Sequence, residues 1–181
     1  MTPGRGATGL PLTSFARKLI CEPRFREIWR VPVLVWESID EAPADEEDSA
    51  DAEVLLSVAA LTRPRAGEPL VFEVRKAPDS LTAVDGILVG RRSSNDIVID
   101  DYGVSGSHAA LRRDEKFGGW TIHDLGSRNG TLVRGERLKP TKRVPLGEDE
   151  IVVLGTVTLR FLLPPCFFGY LDRIMTAPPR R

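Results

Sequence analysis

An all-β sandwich is the fold class this sequence predicts, on three observations. From Pro69 onward, short runs of β-branched, aromatic and aliphatic residues are punctuated by turn residues every 8 to 12 positions or so. Ten such runs fill residues 69–163, which leaves no space for helices between them. Turn signals at Asp85-Gly86, Asn129-Gly130 and Gly147-Glu148-Asp149 supply the Gly and Asn that positive φ angles require.

In chain order the predicted strands are Leu70 to Lys76, Gly86 to Arg91, Ile97 to Ile99, Ser107 to Arg113 and Trp120 to Asp124, then Thr131 to Val133, Glu136 to Leu138, Val144 to Leu146, Glu150 to Leu154 and Val157 to Leu163. In the first of these, Val71, Glu73 and Arg75 alternate with Phe72 and Val74, as a half-buried strand does. Residues 1–40 read as an N-terminal extension. Pro23 interrupts Leu12 to Trp29, and Phe25, Ile28 and Trp29 recur at helical spacing after it, which predicts one short helix with Pro23 in its first turn. Val31 to Trp36 is an extended apolar strip that Pro32 assigns to an edge. Residues 41–53, EAPADEEDSADAE, read as an acidic linker, either a solvated spacer or a segment docked on the sandwich. In the connecting segment 54–68, Val54 to Leu61 fits a helix or a buried strand equally. Residues 164–181 form a C-terminal helix and tail. There Phe167, Phe168, Leu171, Ile174 and Met175 make an apolar stripe at helical spacing that packs back on the sandwich.

The chain's 181 residues hold one ordinary domain with extensions, and 41% hydrophobic with 28% charged residues is a globular composition. The net charge of −1 speaks against non-specific binding to nucleic acid or anionic membranes. That balance hides an asymmetry, because residues 1–60 hold 6 basic and 11 acidic side chains while the remainder is net positive. Cys21 and Cys166 lie far apart, with no CxxC pattern or histidine cluster, so two reduced, partly buried thiols are expected, with no metal site. No apolar run reaches a signal peptide or the roughly 18 residues of a membrane span, which leads to the expectation of a cytoplasmic protein.

Ser105, Ser107, His108, His123 and Asp124 are raw material for a nucleophile and base. Yet Ser107 stands where a G-x-S-x-G elbow needs glycine, and P-loop, H-E-x-x-H and G-x-G-x-x-G patterns are absent. The reading is therefore non-catalytic and cofactor-free. What remains is polar residues at the mouths of turns: Arg91 ending a strand, Ser105 and Ser107 before another, and Arg128-Asn129-Gly130-Thr131 in a tight loop. Such groups suit a phosphate. Arg offers a planar donor fork and Ser a hydroxyl, while an Asn amide can pair with an extended peptide backbone.

In order and spacing, Val89-Gly90-Arg91, Asn95-Asp96-Ile97-Val98-Ile99, Val104-Ser105-x-x-His108-Ala109, Trp120-x-Ile122-x-Asp124-Leu125-Gly126-Ser127-x-Asn129-Gly130-Thr131 and Leu146-Gly147-x-x-x-Ile151-x-x-Leu154-Gly155 resemble a forkhead-associated (FHA) domain of bacterial type. The resemblance covers about residues 69–163. It implies an eleven-stranded β-sandwich that binds phosphothreonine peptides through loops at one end. By that resemblance Arg91 and Ser105 hold the phosphate, Asn129 holds the peptide main chain, and Gly90, His108, Gly130 and Thr131 support the loops. Many members of the family carry Arg, Lys or Asn directly after the serine, where this chain has Gly106. A polar group is thus missing from the rim, with Ser107 or Arg128 available to compensate, or else Gly106 serves a positive φ. The expected partner is a phosphothreonine-containing protein, a Ser/Thr kinase or its substrate, in bacterial kinase signalling. The alternative is a phospho-independent interaction module with an impaired phosphate site.

Overall fold

The computed structural model describes residues 8–22, 24–37, 68–78, 86–114, 118–140 and 142–176. The acidic run 41–53, the Val54 to Leu61 segment and Asp85 lie outside them.

Among the described residues, twelve strands assemble into two sheets. They are β1 (Leu10–Pro11), β2 (Val33–Trp36), β3 (Leu70–Glu73), β4 (Ile87–Gly90), β5 (Ile97–Val98), β6 (Ala109–Asp114), β7 (Gly119–Asp124), β8 (Thr131–Val133), β9 (Glu136–Arg137), β10 (Val144–Leu146), β11 (Asp149–Leu154) and β12 (Val157–Leu162). Helix α1 spans Leu12–Cys21, α2 Phe25–Ile28 and α3 Pro164–Thr176. The seven-stranded sheet runs β1-β3-β2-β12-β11-β8-β9, and the five-stranded sheet runs β10-β7-β6-β4-β5. All ten strands expected after Pro69 form, some shorter at their ends than the sequence predicts.

Side-chain alternation explains how two cores arise. Leu34 and Phe72 point between the sheets, where they meet Ile97, Ile99, Leu111, Ile122, Leu159 and Phe161. Their neighbours Val33, Val35 and Val71 point to the other face of the seven-stranded sheet, against Leu12, Phe15, Phe25, Phe167, Phe168 and Leu171 of the helices. Phe15 meets Phe167 edge-on, with centroids 5.5 Å apart, and Phe25 meets Phe168 the same way at 5.9 Å. The molecule is therefore a three-layer stack of helices, sheet and sheet.

Four readings of the sequence are corrected here. The Val33–Trp36 strip is an inner strand, paired with β3 on one side and β12 on the other, because Pro32 stands just before the ladder and contributes only its carbonyl, which accepts from the Val74 N–H at 2.8 Å. The main N-terminal helix precedes Pro23, since Leu12, Phe15 and Leu19 share its inner face, while the segment after the proline makes a single turn. Ile174 and Met175 are each 43% exposed, because α3 has by then run past the helix layer that buries Phe167, Phe168, Tyr170 and Leu171. Cys21 is exposed at the last position of α1, off the inner face of that helix. No helix among the described residues is long and apolar enough to cross a membrane.

Candidate functional site: the loops at one end of the sandwich

Strand β4 ends at Gly90, and the next two residues are stitched to the β5–β6 loop by backbone hydrogen bonds, Arg91 N–H to the Ser105 carbonyl and Arg92 N–H to the Gly106 carbonyl, both 3.0 Å. Gly90 makes this approach possible: a Cβ there would lie 2.6 Å from the Gly106 oxygen and 2.9 Å from the Ser105 oxygen. The β4–β5 connection is short for parallel strands, and two buried side chains tie it down. Asn95 Nδ2 donates to the Arg92 carbonyl at 2.9 Å and to the Gly106 carbonyl at 2.6 Å. The Asp96 carboxylate accepts from the Leu88 N–H at 2.8 Å and the Ala77 N–H at 3.0 Å, with Lys76 Nζ 3.2 Å away.

His108 joins the β5–β6 loop to the β7–β8 loop. It is fully buried, its Nδ1 accepts from the Ser105 N–H at 3.0 Å, and its Nε2 lies 3.1 Å from the Gly130 carbonyl. Those two partners require the neutral Nε2–H tautomer. Burial, the dominant influence, pushes the ring's pKa down, and the Gly130 carbonyl and Asp124 offset it only in part. The Ser105 Oγ accepts from the Arg128 N–H at 2.9 Å, which leaves its hydroxyl hydrogen able to donate. Asn129 Nδ2 donates to the Gly103 carbonyl at 2.9 Å.

The β7–β8 loop is built around Asp124. Burial pushes this carboxyl up, but hydrogen bonds from the Ser127 hydroxyl and N–H, the Thr131 hydroxyl and the Gly126 N–H outweigh it and hold the pKa below the ordinary carboxylate value. Gly130, at φ 85°, carries no Cβ where the Arg137 guanidinium lies, with its nearest atom 2.5 Å from that position. The β11–β12 turn closes the group. Gly155, at φ 64°, donates its N–H to the Gly130 carbonyl at 2.9 Å, and a Cβ on it would fall 2.0 Å from the Gly103 oxygen.

Arg91, Ser105, Ser107, Arg128 and Asn129 thus stand on three loops that hydrogen bonds hold at one end of the sandwich, with Gly90, Gly106, His108, Gly130 and Thr131 between or beneath them. Arg91, Ser107, Arg128 and Asn129 are exposed. The Arg91 guanidinium lies over the Tyr102 ring, 5.4 Å from its centroid, and that ring is 82% exposed. Gly106 is not in the left-handed region, and the space a side chain would take there is filled by the stem of Arg92. Sequence reasoning missed the clasp made by Asn95, the carboxylate hub at Asp124 and the place of Arg92. Short polar side chains ahead of glycine-bearing turns, as in Asp124-Leu125-Gly126-Ser127, are the signal that could have found the hub. Surface recesses of about 450 Å3, along α1, and about 890 Å3, beside His123 and Pro140, include none of Arg91, Ser105 or Asn129.

The family model of the FHA domain matches residues 87–155, from the start of β4 to the β11–β12 turn that touches Gly103 and Gly130. Over those residues this chain is similar to FHA domains. An FHA domain-containing protein of Arabidopsis thaliana is 38% identical over 95 residues, which are 52% of this chain and 22% of that protein. An oxoglutarate dehydrogenase inhibitor of Corynebacterium diphtheriae is 37% identical over 76 residues, 42% of this chain and 50% of the relative. This chain therefore spans half or less of the length of these relatives. The solution structure of the FHA domain of an Arabidopsis thaliana hypothetical protein superposes with a TM-score of 0.45 at 25% identity, covering 74% of this chain and 86% of that one. The helix layer packs outside the seven-stranded sheet.

Proposed function

We propose that the loop end of this sandwich recognises a phosphothreonine-containing segment of a partner protein, without catalysis, within Ser/Thr kinase signalling. The observation that carries the reading is the convergence of Arg91 and Ser105. The Arg91 N–H is bonded to the Ser105 carbonyl, so an exposed guanidinium and a hydroxyl with a donor to spare are held on adjoining loops. A phosphate dianion takes a planar guanidinium fork and a hydroxyl donor readily. Asn129 retains its side-chain oxygen as an acceptor for a peptide N–H while its amide nitrogen anchors Gly103. The loops are cross-braced before any ligand arrives, which lowers the ordering cost of binding. A phosphothreonine on a protein presupposes a Ser/Thr kinase, so that kinase or its substrate is the class of partner.

The test is capture of short peptides with phosphothreonine at the centre and randomised flanks, beside their unphosphorylated twins. Preferential capture of the phosphorylated pool is expected, and equal capture would favour a phospho-independent interaction module. For the tightest binder, Arg91→Ala is expected to weaken affinity about tenfold or more, since a charged hydrogen bond contributes about 1.5 to 3 kcal/mol. The thermal midpoint should stay nearly unchanged, because the side chain is exposed.

A further inference from the structure

We propose that Arg92, seated on Gly106, is a second phosphate-facing cation of this site; the inference rests on the function proposed above. The two backbone bonds from Arg91 to Ser105 and from Arg92 to Gly106 form a short ladder that sets residue 92 directly opposite residue 106. Asn95 locks the same register by bonding both the Arg92 and the Gly106 carbonyls through one amide nitrogen. The Arg92 side chain then runs across the glycine: a Cβ at position 106 would lie 2.7 Å from Nε and 3.1 Å from both Cδ and Cγ of Arg92. Because Gly106 avoids the left-handed region, its backbone does not demand glycine. The seat for the arginine does.

Several arginines of this molecule have carboxylate partners. Arg160 is bidentate to Asp149, and Arg134 and Arg26 pair with Glu150 and Asp172. Arg92 is exposed and pairs with no carboxylate among the described residues, so its guanidinium keeps its donors for a ligand. The residue beside its seat is Ser105, whose hydroxyl hydrogen is also uncommitted. Arg91 rests on a different support, the Tyr102 ring, so the two cations do not depend on one contact. In this arrangement the glycine after Ser105 does not weaken the site. It exchanges a side chain at position 106 for one that reaches the same place from position 92.

The experiment compares the protein with its Arg92→Ala, Gly106→Arg and doubly substituted forms, using the tightest phosphothreonine peptide from the pool and measuring affinity across a salt series. Arg92→Ala is expected to lower affinity about tenfold and to flatten the dependence on salt, because one cation facing a dianion is lost. Gly106→Arg alone should bring no gain, since the new side chain displaces Arg92. In the Arg92→Ala background the same change should restore affinity and the salt slope. Thermal midpoints of all forms show that folding is retained. If Arg92→Ala binds like the parent with the same salt slope while Arg91→Ala fails to bind, Arg92 has no part in the site and this inference is overturned with the proposed function intact. If Gly106→Arg tightens binding with Arg92 present, the two positions are independent and the seat is refuted. Equal capture of phosphorylated and unphosphorylated pools by the parent removes the proposed function, and this inference with it.

Discussion

His108 shows how a buried polar residue can set the geometry of a surface site without touching a ligand. Its ring takes an N–H from the Ser105 loop at Nδ1 and donates from Nε2 to the Gly130 carbonyl of the next loop, and the first of these contacts needs the neutral ring. Protonation would turn the Nδ1 acceptor into a donor facing the Ser105 N–H. Burial lowers the folded pKa below the ordinary 6.5, so below that value the unfolded chain binds more protons than the folded one. The histidine's contribution is therefore complete above about 6.5 and is lost as pH falls from there through its folded pKa. His123, also lowered, first by burial and then by Arg143, adds to the same slope. Following the imidazole resonances by NMR should place the His108 midpoint below 6.5, with stability in urea falling over that range. A midpoint at or above 6.5 would contradict the neutral bridge. Gly90 and Gly106 act at the same scale by absence, one admitting backbone oxygens and the other admitting Arg92.

Of the three loops that carry the site residues, β4–β5 and β5–β6 stay within the five-stranded sheet, while β7–β8 crosses between sheets. Both β7–β8 and β10–β11 connect the five-stranded sheet to the seven-stranded one, so Asn129-Gly130 and Gly147-Glu148-Asp149 are crossing corners, not hairpin turns. The β11–β12 turn is a hairpin, and Gly155 within it abuts Gly103. Gly155→Ala adds a Cβ at positive φ, costing about 1 kcal/mol, and drives it into the Gly103 oxygen, so a total loss of about 2 kcal/mol or more is expected in urea unfolding. An unchanged midpoint would show that the two loops move apart freely. The strands themselves were legible because ten apolar runs at turn-bounded spacing have only one simple reading, and the positions of Arg91, Ser105 and Asn129 followed from motif order. The inner placement of β2 was not, since Pro32 carries the same signal before an inner strand as on an edge. The Arg134-Gly135 turn between β8 and β9 was also hidden: both residues have positive φ, at 54° and 77°, and arginine is an unusual occupant there. The Arg92–Gly106 contact depends on pairing between loops, which no local pattern encodes.

At the scale of the whole molecule, the matched family covers residues 87–155, yet the sheet that supports them draws on the chain's first part. Among the described residues strand β3 pairs with β1 and β2, both from before residue 37, and β12 loses a partner with them. Deleting residues 1–37 would also strip Phe15, Phe25, Val33 and Val35 from the helix-side core. Removing several such side chains at about 3 to 5 kcal/mol per large aromatic exceeds the usual stability of a domain, so the shortened chain should lack a cooperative melt. A melt at the parent midpoint would show that the matched region stands alone. The folded core thereby fixes one rigid end, and the recognition reading assigns that end its ligand. The most direct test is the map of backbone amide shifts on adding the tightest phosphothreonine peptide from the pool. Changes should concentrate at residues 91–92, 105–107 and 128–130, while the helix layer at 12–21 and 164–176 stays unperturbed. Changes confined to the helix layer, or an identical map from the unphosphorylated peptide, would contradict phosphate recognition by these loops.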